Sequence, residues 1–172
     1  MVAVTEPIQP DYRIFVSYID KSREYYLAQG YRNPYRWARH QDAPFVRLER
    51  PLAEARVGLV TTASLIESEA APEPFSVPAI VYAAPVDPPP ARLYTMHRFW
   101  DQVATHTDDL NSYAPIQRLQ EAAANGRIGR VSPRFYGVPT VYSQRKTNEA
   151  DAPGLLRLCL EDAVDAAILV AL

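Results

Sequence analysis

A chain of 172 residues suits one domain with a full core and is too short for two. Its 18 Lys and Arg against 20 Asp and Glu leave a net charge of −2, so no overall field draws it to nucleic acid or to an anionic membrane. The single cysteine, Cys159, excludes an intrachain disulfide, and no apolar stretch approaches the ~20 residues of a membrane helix.

The segment Met1-Val2-Ala3-Val4-Thr5-Glu6-Pro7 has neither the basic nor the apolar region of a secretory leader, so a cytoplasmic location without a membrane partner is expected. Residues 1–50 form an aromatic and basic arm that holds six of the eleven tyrosines. Asp11 is placed to cap a helix carrying Ile14, Phe15, Tyr18, Ile19, Tyr25 and Tyr26 at helical spacing, with Gly30 at its end. From Tyr31 to His40 rings alternate with cations, a pattern that suits base stacking with phosphate pairing or an arm that packs its rings and keeps its guanidinium tips wet. The weak overall charge favours the second, and no nucleic-acid partner is expected.

Between Leu52 and Ser64 a polar lead-in gives way to an apolar run and then to small hydroxyl residues, the pattern of a first strand in an α/β sheet. Thr61 and Thr62 at its end are candidates for binding a substrate carboxylate, or they serve the backbone where the strand turns into a loop. No GxGxxG or GxxxxGK[ST] follows, so neither a dinucleotide fold nor a phosphate loop is signalled. Residues 67–91 carry seven of the sixteen prolines, which predicts an irregular insertion across the sheet edge with one short strand at Ala79-Ile80-Val81-Tyr82.

The densest chemistry follows, with His97, Asp101, His106, Asp108 and Asp109 inside thirteen residues. Imidazole beside carboxylate suits an acid–base pair, with His97 or His106 oriented by Asp101 or Asp109. The same set suits a divalent metal and hence a hydrolase, but the spacing is neither HExxH nor a zinc pattern, and no metal is expected. Asp108 and Asp109 also stand where caps of the next helix belong. That helix has Pro115 in its first turn, an apolar face of Ile116, Leu119, Ala122 and Ala123, and Asn125-Gly126 as its stop. Arg127, Arg130 and Arg134 are expected to be solvated or to pair with carboxylates. A short strand is predicted at Thr140-Val141-Tyr142 and a helix from Ala152 to Asp162, with Cys159 as a small buried hydrophobe rather than a reactive thiolate. Ala166 to Leu172 has no polar alternation, as in a strand buried on both faces of a parallel sheet. The fold predicted is a single α/β domain over 51–172, a mostly parallel sheet flanked by helices, with the helical arm and the proline-rich insertion appended.

Five segments in order resemble the selenoprotein B family: Arg56–Ala63, His97–Asp101, Asp109-Leu110-Asn111 with Pro115 and Arg118-Leu119, Gly126-Arg127-Ile128-Gly129, and Asp165–Val170. These proteins are the substrate-specific subunits of glycine, sarcosine and betaine reductases, with the related small subunit of D-proline reductase. The likeness covers about Leu52 to Leu172.

The resemblance implies reductive cleavage of a C–N bond in a small amino acid or amine. It also implies a redox motif with selenocysteine or cysteine at the carboxyl end of the last strand, after Leu172, so that the domain is incomplete there and the chain alone is inactive. An in-frame UGA read as a stop is one origin of such an end. By position, His97, Asp101 and His106 take supporting catalytic roles, and Thr61, Thr62, Asp109 and Asn111 bind substrate. Other reductase subunits, a thioredoxin-like reductant and an oligomer are implied as partners, and a pyruvoyl group, where used, resides on a partner subunit. The alternative is an α/β binding or assembly module without catalysis.

Overall fold

The computed structural model of the protein describes residues 17–33, 38, 41–65, 80–95, 103, 106–139 and 143–172. The chain divides into two compact units, Met1–Pro44 and Phe45–Leu172. In the first, helix α1 spans Tyr18–Ala28 and its cap is Ser17, while Asp11, the cap expected, lies outside the described residues. The Ser17 hydroxyl accepts from the Asp20 N–H at 3.2 Å, satisfying one of the orphan donors of the first turn, and donates to the Asp20 carboxylate at 2.7 Å. Gly30, with φ +87°, follows the last turn as expected. No α1 residue is buried; Tyr26 meets Tyr25 and Tyr31 edge to face at 5.6 and 5.7 Å, so ring contacts along its own surface brace it.

The second unit is an α/β domain built round strand β1, Arg56–Thr61. One edge of β1 pairs in parallel first with β3 (Arg130–Val131) and then with β4 (Arg134–Gly137). The other edge pairs in parallel with β5 (Ala166–Val170), from Val57↔Ala166 to Thr61↔Val170. Strand β2, Tyr82–Pro85, adds antiparallel to β4, a place on the sheet edge where Pro85 withholds no needed donor. Since Val57 faces Val131 and Val60 faces Tyr136, three steps along β1 match five along its partner. Ser132-Pro133 is the resulting interruption: the Ser132 N–H still reaches the Val57 carbonyl at 2.8 Å, while Pro133 has none to offer.

One face of this sheet holds the main core. Val57, Leu59 and Phe135 pack there with Leu93, Tyr113 and helix α2, Ile116–Ala124, whose Ile116 and Leu119 are buried. Gly126 at φ +68° ends α2 as the Asn-Gly pair predicted. Beyond it the chain crosses backbone at Gly129, whose N–H lies 3.1 Å from the Leu52 carbonyl and 3.0 Å from that of Ala55. A Cβ at Gly129 would fall 2.4 Å from the Glu54 carbonyl carbon, so Gly129→Ala must push two backbones apart. Its expected cost is about 1–3 kcal/mol, measured as a lower urea midpoint at unchanged slope. A change below about 0.5 kcal/mol would show that the crossing adjusts freely.

The last helical stretch begins earlier than Ala152. It runs through α3 (Gln144–Lys146), a π-helical turn (Thr147–Asp151) and α4 (Ala152–Glu161). In a continuous α-helix Pro153 would leave the Glu149 carbonyl without its donor and press its ring against it; the wider turn just before the proline absorbs both faults. At the leading end of β5, Asp162 accepts from Arg134 at 2.8 and 3.0 Å and from the Tyr136 hydroxyl at 2.7 Å, while its carbonyl accepts from the Arg56 guanidinium. Arg134 also reaches Glu161 at 3.2 Å, the carboxylate pairing its sequence context suggested. Burial pushes the Asp162 carboxyl up, but the hydrogen bonds from Arg134 and Tyr136 outweigh it and hold the group below the usual carboxylate range.

The predicted strand at 79–82 is displaced to Tyr82–Pro85, and β4 is an addition to the predicted elements. The strand predicted at Thr140–Tyr142 lies outside the described residues.

Candidate functional site

Open α/β sheets place ligands beyond the carboxyl ends of their strands, where departing loops leave a crevice. Here the carboxyl ends of β1 and β5 border a cavity of about 370 Å³, closed on its far side by the π turn and the start of α4. Its walls are mostly aliphatic: Val60, Val138, Leu155, Leu169 and Val170. Thr61 and Thr62 also line it. Both hydroxyls serve the backbone. The Thr61 hydroxyl, 1% exposed, donates to the Tyr113 carbonyl at 3.1 Å and accepts from the Ala63 N–H at 3.2 Å. That of Thr62 accepts from the Leu172 N–H at 2.8 Å and donates to the Leu172 carbonyl at 3.3 Å, fixing the backbone that leaves β5.

The loop before α2 carries the other described candidates. Asp109 accepts from the Asn111 N–H at 2.9 Å and so caps the short turn Leu110–Ser112, not the helix α2 it was expected to cap, whose N-cap is Pro115 without a side-chain hydrogen bond. The Asn111 side chain donates to Gln117 at 3.1 Å, tying the turn to α2. His106 stands 3.3 Å from Asp108 through Nδ1, and both are mostly exposed. Asp108 lines a second, polar pocket of about 160 Å³ with Arg92, Thr107 and Tyr113. Tyr113 links the two regions: its carbonyl holds Thr61, and its hydroxyl reaches the Leu93 and Thr107 carbonyls at 3.3 and 3.4 Å. His97 and Asp101 lie outside the described residues.

Cys159 is half-buried rather than fully buried, and burial, with the Asp162 charge behind it, pushes its thiol up. Such a thiol is a poor nucleophile at neutral pH. Among the described residues no group of three His, Cys, Asp or Glu side chains is arranged to hold a metal. None of the described helices is long and apolar enough to cross a membrane.

Sequence reasoning missed Asp151 and Lys146. Asp151 is 4% exposed, lines the cavity from the π turn, and accepts a hydrogen bond from the Lys146 ammonium. The available signal was Pro153, which breaks an otherwise helical stretch from Gln144 to Glu161 and marks where the backbone must depart from regular α geometry.

Fold and site together define an α/β protein with a largely aliphatic cavity at the carboxyl edge of a parallel strand pair. Comparison with protein-family models, with curated proteins and with solved structures finds no match to the chain.

Proposed function

We propose that this chain is the sheet portion of a reductase subunit of the selenoprotein B kind, acting on the C–N bond of a small amino acid or amine such as glycine, sarcosine, betaine or D-proline. The observation that carries the reading is the position of the cavity. The family resemblance puts the reactive selenolate or thiolate at the carboxyl end of the last strand, and the carboxyl end of β5 borders the cavity. Cys159, with its raised thiol pKa, does not suit that role; it is the resemblance that supplies a nucleophile after β5.

In the proposed reaction the selenolate or thiolate attacks the carbon bearing nitrogen. The new bond forms from its lone pair, the C–N pair leaves with nitrogen, and a histidine supplies any proton the amine takes up. A second thiol then attacks the sulfur or selenium, the carbon leaves with the bonding pair and takes a proton from that thiol or from water to become C–H, and the two chalcogens are left joined and oxidised. A thioredoxin-like reductant restores them, and the other reductase subunits receive the product. The resemblance supplies the proton donor as His97 or His106, of which His106 stands beside Asp108 on the loop of the second pocket rather than at the cavity.

The test begins with the nucleotide sequence after the Leu172 codon and continues with the purified gene product. An in-frame UGA or cysteine codon, and thiol-dependent C–N cleavage of one of the four compounds in the presence of the partner subunits, read as amine release from glycine, sarcosine or betaine and as ring opening of D-proline, is the expected result. A UAA or UAG at that point, or no cleavage of any of them, overturns the reading in favour of a binding or assembly module.

A further inference from the structure

Asp151 is buried in the wall of the mostly aliphatic cavity, where a carboxylate is costly unless a cation or a set of donors accompanies it. In this protein the accompanying cation is Lys146, whose ammonium donates to Asp151 from the preceding helical turn. The two partners are not equally fixed: the Asp151 side chain is 5% exposed and that of Lys146 34%. Lys146 therefore reaches in from solvent on a flexible four-carbon stem, whereas Asp151 is held within the wall by the π turn. The turn widens the helix at Asp151, immediately before Pro153, and both Asp151 and the flanking Thr147 border the cavity.

From this arrangement we infer that Asp151 is a specificity-determining residue of the cavity, selecting a small ligand with an alkylammonium group and an aliphatic body, and that Lys146 is the internal cation such a ligand displaces. Val60, Val138, Leu155 and Leu169 meet the aliphatic body, and the Asp151 carboxylate meets the charge. A neutral ligand of the same shape fills the same volume but leaves Asp151 with Lys146. The inference deepens the reductase reading, on which it rests for the location of the site, but it concerns binding alone.

Isobutylamine, cationic at neutral pH, and isobutanol, its neutral counterpart in shape, are the probes, titrated against the intact chain by calorimetry and by amide chemical shifts. Isobutylamine is expected to bind at least about tenfold more tightly than isobutanol, with shifts centred on Thr62, Asp151 and Val170. Asp151→Asn should remove most of that preference. Lys146→Met should tighten isobutylamine several-fold, because the competing ammonium is gone, an effect that a merely structural pair does not produce. Equal binding of the two probes, no saturable binding of isobutylamine, or weaker binding by Lys146→Met overturns the inference. Should Asp151→Asn fail to fold, the comparison of the two probes on the unaltered protein decides alone. Amine selectivity without C–N cleavage by the gene product would remove the reductase reading and leave this one standing; cleavage without selectivity would do the reverse.

Discussion

Phe135→Ala is expected to cost about 3–5 kcal/mol, enough to leave a marginally stable domain largely unfolded at physiological temperature. The ring is fully buried, sits in the core with Leu59, Leu93 and Ile116, and meets Tyr82 edge to face at 6.1 Å. Tyr82 cannot follow the collapse readily. Its hydroxyl donates to the Ala63 carbonyl at 2.8 Å, and its ring lies where a Cβ on Gly137 would be. The space left by the missing ring therefore stays open, and the full cavity term applies. Urea denaturation of the variant beside Leu169→Ala, whose side chain is 74% exposed and whose expected change is within about 0.5 kcal/mol, measures the difference. A loss below about 2 kcal/mol for Phe135→Ala would mean that β2 and α2 close over the gap.

Asp162→Asn is expected to cost about 2–3 kcal/mol at neutral pH. Its side chain is 11% exposed and holds Arg134 bidentately together with the Tyr136 hydroxyl, so removal of its charge leaves the guanidinium only its pairing with Glu161. Arg134 keeps 33% exposure, and water recovers part of that loss. The sign of the pH effect follows from the depressed carboxyl. The folded value lies below the unfolded value of about 3.9, so the stabilisation is fully present above that value and disappears as pH falls through it and then through the folded one. The gap in stability between the parent protein and Asp162→Asn should be full at pH 7 and should narrow below about pH 4. A gap that stays constant on acidification would assign the loss to geometry rather than to the charge.

The elements legible in the sequence are those whose signal is local and repeated. Helix α2 carried its apolar face and its Asn-Gly stop, and β1 and β5 are continuous apolar runs, although β5, expected to be buried on both faces, leaves Ile168 and Leu169 exposed. Strand β4 has only four residues, Arg134–Gly137, and is buried on both faces because Phe135 enters the main core while Tyr136 turns to Asp162. Two adjacent aromatics between a proline and a glycine were its trace, too short to show a period. At α1 the described cap is Ser17, whose hydroxyl accepts from the Asp20 N–H. At the site, the end of β1 was legible as a wall, but its hydroxyls serve the backbone. Asp151 was hidden because it sits in a change of helical pitch just before Pro153 rather than in any motif around the aspartate.

The pairing of β1 with β5 has a consequence for the birth of the protein. Arg56 and Asp165, which exchange hydrogen bonds at the start of that pairing, are 109 residues apart in the chain. A ribosome delivering this chain therefore releases Val57-Gly58-Leu59-Val60 long before residues 166–170 exist, with one row of amide and carbonyl groups still unpaired. An apolar strand in that condition is a template for any neighbouring chain. Crowded translation is thus a stage at which this protein is exposed to aggregation, and slowing synthesis ahead of β5 should lower its soluble yield.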